Sequence, residues 1–137
     1  MGIVYTELTL RNESDVALAR LGYLKPEDIR TVAVTAIVDN GAYSLLLDEE
    51  TSQKLGLEKT GEKRIRIANG EQPVCPVTGP VEINWKDRQS VMRAITVPGL
   101  SQALLGALPL EEMDLIVHPS RNELVGAHGE TIEYMMY

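Results

Sequence analysis

Cysteine is almost missing from this chain: Cys75 is the single one in 137 residues, so no internal disulfide can form. One thiol and no cross-link fit a reducing, cytoplasmic setting. With no cysteine pair and only His118 and His128, both read as surface or loop residues, zinc ligation is not expected. No other feature calls for a metal or cofactor. Cations are also in short supply, 13 Lys and Arg against 20 Asp and Glu, a net charge of −7 and a pI near 4.8. That balance argues against nucleic acid as a partner, since binding it requires a basic footprint. The densest basic run, Lys63-Arg64-Ile65-Arg66, alternates with apolar residues and reads as the solvated face of a strand. Long apolar runs are absent too. None approaches the roughly 20 residues a membrane span needs, and the first seven residues lack the basic-then-apolar layout of a secretory signal.

What is present is 44% hydrophobic residues in a length that suits one globular domain with one core. Residues 3–10 alternate as a strand, with Val4, Thr6, Leu8 and Leu10 on one face. Asp15 is placed to cap a short helix that ends near Gly22. Residues 31–38 are apolar nearly throughout, which predicts a central strand buried on both faces. A strand at 44–47 leads to Asp48, a good N-cap for a short helix over Thr51–Leu55 with Gly56 after its end. Residues 62–68 alternate, and Asn69-Gly70 predicts a type I′ hairpin turn. The returning arm carries Pro73 and Pro76, so it is an edge or partly unpaired. Gly79-Pro80 is a bend. Strands over 81–85 and 90–97, a short apolar strand at Ala103-Leu104-Leu105-Gly106, a helix from Pro109 to Met113, and strands at 115–117 and 123–125 complete the order. Many short strands with turn signals between them predict a mostly-β domain, with two or three short helices, closed into a barrel.

The stretch that carries chemistry is Val34-Thr35-Ala36-Ile37-Val38-Asp39-Asn40-Gly41-Ala42. An apolar strand runs into a carboxylate, whose desolvation costs several kcal/mol unless it is paired or neutralised. From these residues alone Asp39 either starts a turn at a wet strand end or belongs to a site that uses its acidity.

The order of features narrows this. An apolar strand ends in Asp39-Asn40-Gly41-Ala42, a capped helix ends in Lys54-Leu55-Gly56-Leu57, a hairpin carries Ala68-Asn69-Gly70 at its tip, and Leu104-Leu105-Gly106 precedes a short helix. Over residues 3–126 this resembles the retropepsin-like aspartic proteases, a single-domain family typified by retroviral proteases and found also in bacteria. The resemblance implies a closed acid-protease barrel with one Asp-x-Gly loop per chain, with residues 127–137 as a tail and 15–30 as an extended segment that a minimal member lacks. It also implies a homodimer in which Asp39 of each copy meets at a two-fold axis, the two carboxylates share a proton, and a bound water is the nucleophile. Gly41 brings backbone close to a peptide substrate, and Ala42 flanks the scissile-bond pocket. The hairpin of Ala68, Asn69 and Gly70 is the flap, and Leu104 and Leu105 line subsites and pack behind the Asp39 loop.

Two departures matter. Asn40 stands where the family carries Thr or Ser, whose hydroxyl ties the two Asp loops together. Tyr43 and Ala107 stand where retroviral members often place an Asp–Arg ion pair, so both partners are lost together and no charge is stranded. The expectation is therefore a homodimeric aspartic endopeptidase acting on peptides or proteins. The alternative is a catalytically weak or inactive dimer of the same fold that binds a peptide or protein partner.

Overall fold

The computed structural model describes residues 2–67 and 69–129; Met1, the expected flap residue Ala68, and residues 130–137, most of the expected tail, lie outside the described residues. Nine strands are described: β1 (Val4–Asn12), β2 (Thr31–Val38), β3 (Leu45–Leu47), β4 (Lys59–Arg64), β5 (Val74–Trp85), β6 (Arg88–Thr96), β7 (Leu104–Leu105), β8 (Leu115–Val117) and β9 (Leu124–Gly126). Three short helices join them: α1 (Glu13–Arg20), α2 (Glu49–Lys54) and α3 (Ala107–Glu112), with one 3-10 turn at Pro26–Asp28. The main sheet runs β1-β2-β7-β3-β6-β5-β4, and β1 also pairs with β5. Six strands therefore close on themselves, and β4 is appended outside the ring. β8 and β9 form a separate ribbon. Closure leaves no edge within the ring, which suits strands as short as β3 and β7.

The interior is aliphatic. Leu10, Leu45, Leu47, Leu55, Val81, Ile83 and Leu105 are fully buried and form one cluster with Leu8, Ala36, Trp85, Leu110 and Met113. Each such leucine contributes about 2 kcal/mol by leaving water. A smaller cluster of Cys75, Val77, Ile95 and Val97, with Leu46, Ile65 and Leu100 against it, sits under the base of the β4–β5 hairpin. Cys75 is a buried filler, as expected, and burial pushes its thiol up from the usual range.

β2 corrects one expectation. Thr31, Ala33 and Thr35 are exposed, and of its residues only Ala36 is fully enclosed. The barrel buries one face of the strand; small residues and threonine, which suit a pleated surface, make the other face read as apolar when it is open to solvent. A second correction concerns α1. Asn12, not Asp15, caps it, its side chain accepting from the Asp15 N–H at 3.2 Å. Asp15 instead takes three donors from Arg30: the backbone N–H at 3.0 Å, Nε at 2.8 Å and Nη2 at 2.9 Å. Those bonds hold its carboxyl below the usual carboxylate range.

Both longer caps follow the predicted pattern. Tyr23 N–H reaches Leu18 O and Gly22 N–H reaches Ala19 O after α1; Leu57 N–H reaches Ser52 O and Gly56 N–H reaches Gln53 O after α2. These are paired Schellman closures with glycine in the left-handed region. Asp48 caps α2 through the Thr51 N–H, as read from the sequence.

α1 lies against β5 and covers its outer face. There Glu82, 4% exposed, meets Arg11 of β1 through two bonds of 2.6 and 3.0 Å. Burial works against the Glu82 charge, but the bonds from Arg11 and Asn84 outweigh it and hold the carboxyl below its ordinary value. Arg88 is buried; its guanidinium donates to the carbonyls of Met113 (2.8 Å), Asp114 (2.7 Å) and Gly129, and so fastens the chain after α3 to the barrel.

Candidate active site

β2 delivers Asp39 to one end of the barrel. Asp39 N–H donates to Leu105 O at 3.0 Å, continuing the parallel pairing of Ile37 with Leu104 and Val38 with Leu105. The chain then turns on itself. Gly41 N–H donates to Asp39 Oδ1 at 2.8 Å, and Ala42 N–H to the Asp39 carbonyl at 3.1 Å. The carboxylate is thereby aimed by its own loop, while Oδ2 has no partner among the described residues. The loop is anchored from behind, where Ala107 N–H donates to Ala42 O (2.8 Å), Leu108 N–H to Tyr43 O (2.9 Å) and Gly106 N–H to Ser44 O (2.9 Å).

This anchoring explains the glycine of Leu104-Leu105-Gly106. A Cβ on Gly106 would overlap Ser44 O and stand 2.7 Å from Ala42 O and 2.8 Å from Ser44 N. All three are backbone atoms of the Asp39 loop, so nothing can swing aside. Only glycine allows α3 to start this close to the loop.

The β4–β5 hairpin closes over the same end. Ile65 N–H bonds Pro73 O (2.9 Å), Ile67 N–H bonds Glu71 O (3.0 Å), and Gly70 N–H bonds back to Ile67 O (2.9 Å) with Gly70 at φ +87°. The connection is thus three residues long, 68–70, and not the two-residue type I′ turn expected from Asn69-Gly70. Asn69 uses its side chain locally, Oδ1 accepting from Glu71 N–H at 2.9 Å. A three-residue loop with glycine in the left-handed position is the next most common hairpin closure.

Between hairpin and loop lies a cavity of about 1060 Å³. Asp39, Gly41, Ala42, Asn69 and Leu104 all line it, together with Leu46, Ile65, Ile95, Val97 and Leu100. Residues thirty apart in sequence are thereby brought to one groove. Three expected site residues are placed differently. Leu105 is fully buried and packs behind the loop without reaching the groove; Asn40 is exposed and outside the lining; Gly70 lies at the hairpin turn, also outside it. The Asn40 side chain makes no hydrogen bond among the described residues. Sequence reasoning missed Lys63, Arg64, Arg66 and Arg93, which also line the groove. The basic run at 63–66 was visible, but its placement in the lining of a cavity that also includes Arg93 of β6 depends on the hairpin's fold. Among the described residues no group of three or more His, Cys, Asp and Glu is arranged to hold a metal ion.

A closed barrel with a turn-held Asp under a hairpin is the layout of an acid protease. The aspartyl protease family profile matches residues 27–108, more than half of the chain, from before β2 to the start of α3. The chain belongs to that aspartyl protease family. No curated protein matches it. Among solved structures it is similar to the retroviral protease-like domain of Ddi1 from Leishmania major, at 15% identity and a TM-score of 0.56 over 98% of this chain and 91% of that one. It is also similar to a retropepsin-like aspartic protease from Rickettsia conorii, at 17% identity and a TM-score of 0.43 over 89% of this chain and 90% of that one. The fold is retropepsin-like, as the order of motifs implied.

Proposed function

We propose that this chain is a homodimeric aspartic endopeptidase whose site is completed by Asp39 of a second copy. The observation that carries the reading is the shared groove: one half-buried carboxylate, oriented by the Gly41 N–H and with its second oxygen unpartnered among the described residues, under a hairpin that can roof an extended peptide. Large apolar side chains at this end of the barrel support a second copy there. Tyr43 is 74% exposed and Leu108 is exposed beside the loop, while Ile3, just before β1, and Tyr5 on it are exposed next to Val4, which pairs with Val38. A two-fold axis would bury such a patch against itself.

The chemistry follows from two carboxylates a few Å apart, which share one proton. The ionised member takes a proton from a bound water as its oxygen attacks the peptide carbonyl carbon. The protonated member donates to the carbonyl oxygen. The tetrahedral intermediate then collapses as the amide nitrogen is protonated and the C–N bond breaks. Apolar residues at the cut are expected, given Leu46, Ile95, Val97 and Leu104 on the floor.

Asn40 supports the second reading, a peptide-binding dimer with weak catalysis. It replaces a hydroxyl that would tie the loops together, and its amide is longer and planar. Assay of purified protein on a mixed peptide library between about pH 4 and 7 separates the two, since dyad chemistry needs one carboxylate protonated and one ionised. Cleavage that is blocked by a pepstatin-type inhibitor and lost in Asp39→Ala supports the endopeptidase. Intact peptides from a dimer verified by sedimentation overturn it, and a monomer at high micromolar concentration overturns the dyad.

A further inference from the structure

The groove is strongly cationic in a chain that is strongly anionic. Of 13 Lys and Arg in the whole sequence, Lys63, Arg64, Arg66 and Arg93 line this one cavity, and Asp39 is the only carboxylate among its described lining residues. The sequence has 20 Asp and Glu, Asp39 among them. Yet among the described residues none of the four cations forms an ion pair, and Arg64 has a single bond, from Nη1 to Gln72 O at 3.3 Å. Like charges gathered without partners repel one another, and the repulsion is relieved when an anionic ligand enters.

We propose that the groove selects peptides with acidic side chains on both sides of an apolar cut, an inference that rests on the endopeptidase reading above. Three observations favour a peptide over another polyanion. First, β4 is the edge of the sheet. Its arm directs the Ile65 and Ile67 N–H groups to Pro73 and Glu71 on the returning strand, so by strand alternation the Arg64 and Arg66 main chain faces away from that partner, open to an added strand. Second, the floor is aliphatic, and Tyr43 is the only aromatic side chain among its described lining residues. Single-stranded nucleic acid needs aromatic platforms for its bases. Third, the remainder of the protein carries the excess negative charge, which disfavours a long polyanion running past the groove.

Position along the peptide follows from the same charges. Asp39 repels a carboxylate at the cut itself, so the apolar floor takes the residues there. Lys63 comes from the roof and Arg93 from the floor strand, placing cations on both walls. A two-fold axis repeats the set on the far side, which makes the preference flank the cut in both directions. At physiological salt, screening acts over about 8 Å, so distant carboxylates of the protein are muted while groove cations still act on a bound peptide.

Three peptides with one apolar centre and acidic, neutral or basic flanks test this at 0.15 M salt. The acidic peptide is expected to be cut with a kcat/KM roughly tenfold above the neutral one, and further above the basic one. The ratio should shrink to about twofold at 1 M salt, where screening reaches only about 3 Å, and should fall in Lys63→Gln/Arg93→Gln. Equal rates, or preference for the basic peptide, overturn the proposal. A second arm needs no cleavage: Asp39→Asn is titrated against the same labelled peptides and a single-stranded RNA oligonucleotide by fluorescence anisotropy. Tighter binding of the acidic peptide supports the proposal; tighter binding of the RNA, or no dependence on peptide charge, overturns it. If nothing is cut, the endopeptidase reading fails while anisotropy still decides the charge preference.

Discussion

The two ends of β2 are built on opposite terms. They stand about 26 Å apart, eight strand steps from Thr31 to Asp39. At the Thr31 end polar groups satisfy one another. Asn12 caps α1, donates its amide to Leu55 O at 2.9 Å and its N–H to Arg30 O at 3.0 Å, while Arg30 closes on Asp15 and Arg11 on Glu82. At the Asp39 end the second carboxylate oxygen and the Asn40 amide have no partner among the described residues, the groove cations form no ion pair among them, and Tyr43 stands in solvent. One end spends its polar groups on holding the chain; the other leaves them without partners among the described residues. Substitutions at the two ends should therefore separate activity from stability.

The sharpest separation is expected at Asp39. Asp39→Asn keeps an oxygen for the Gly41 N–H but removes the acid–base group. Activity should fall by roughly a thousandfold, about 4 kcal/mol in the barrier. The melting temperature should stay close to that of the parent, because the lost charge held nothing else among the described residues. A large fall in melting temperature would show that the open end is structural after all. Steady-state kinetics and thermal melts on one preparation suffice.

Gly106 is where the comparison should break down, since it is the point at which structure supports the open end. Gly106→Ala forces a methyl into the backbone of the Asp39 loop, with an expected cost of about 2–3 kcal/mol and loss of activity together. Gly79→Ala is the control: its Cβ would meet only the flexible Glu58 side chain at 3.4 Å, and little change is expected. Denaturant unfolding of both variants measures the difference. Equal stability would mean that α3 shifts away from the loop at little cost.

How much of this was legible in the chain depended on the range of the signal. Local patterns carried well: alternation in β1, the caps at Asp48, Gly22 and Gly56, and the Asp-x-Gly turn after an apolar strand. The order of motifs then implied that the hairpin would sit over Asp39; Asn69 and Asp39 line one groove. Pairings between distant residues did not carry. Arg11 and Glu82 are 71 positions apart, and Asp15 looked like a cap because its partner, Arg30, lies beyond a turn. The open face of β2 was hidden because Ala33 and Thr35 are compatible with either face. The cationic groove was hidden because Arg93 is separated from Lys63 by a strand and a half. Leu104 and Leu105 were equivalent as letters; the parallel pairing with β2 turns one to the groove and the other to the core.

At the closed end a smaller effect with a definite pH signature is expected. Asp15 and Glu82 both have carboxyls held below their ordinary values in the folded protein. The stability they contribute is fully present above the unfolded carboxylate range, about pH 4, and is lost as pH falls through the lower folded values. The melting temperature should thus be flat near neutrality and drop below about pH 4. Asp15→Asn should lower stability near pH 7 by about 1–2 kcal/mol, discounted because Arg30 is half exposed and water can take over its guanidinium. It should also flatten the acid slope. Thermal melts from neutral to acid pH check both, and an unchanged slope would show that Asp15 is not among the groups that make the fold acid-sensitive.

Asn40 gives the smallest and most discriminating effect, because it tests whether the open end was left incomplete. Asn40→Thr places a hydroxyl next to Asp39, at a position where the Asn side chain has no partner among the described residues. Monomer stability should barely move, since nothing described is broken. If the second copy supplies the missing partner, kcat should rise a few-fold and the dimer should tighten by about 1 kcal/mol, the usual worth of a hydrogen bond. Kinetics with sedimentation at several concentrations read both quantities. A rise in dimer affinity without a rise in kcat would make Asn40 a dimer-weakening residue and leave the chemistry to Asp39 alone. No change in either would mean that the amide already makes the bonds a hydroxyl would make. In that case the substitution is neutral for the Asp39 loop, and the contrast between the two ends lies in charge and not in a missing contact.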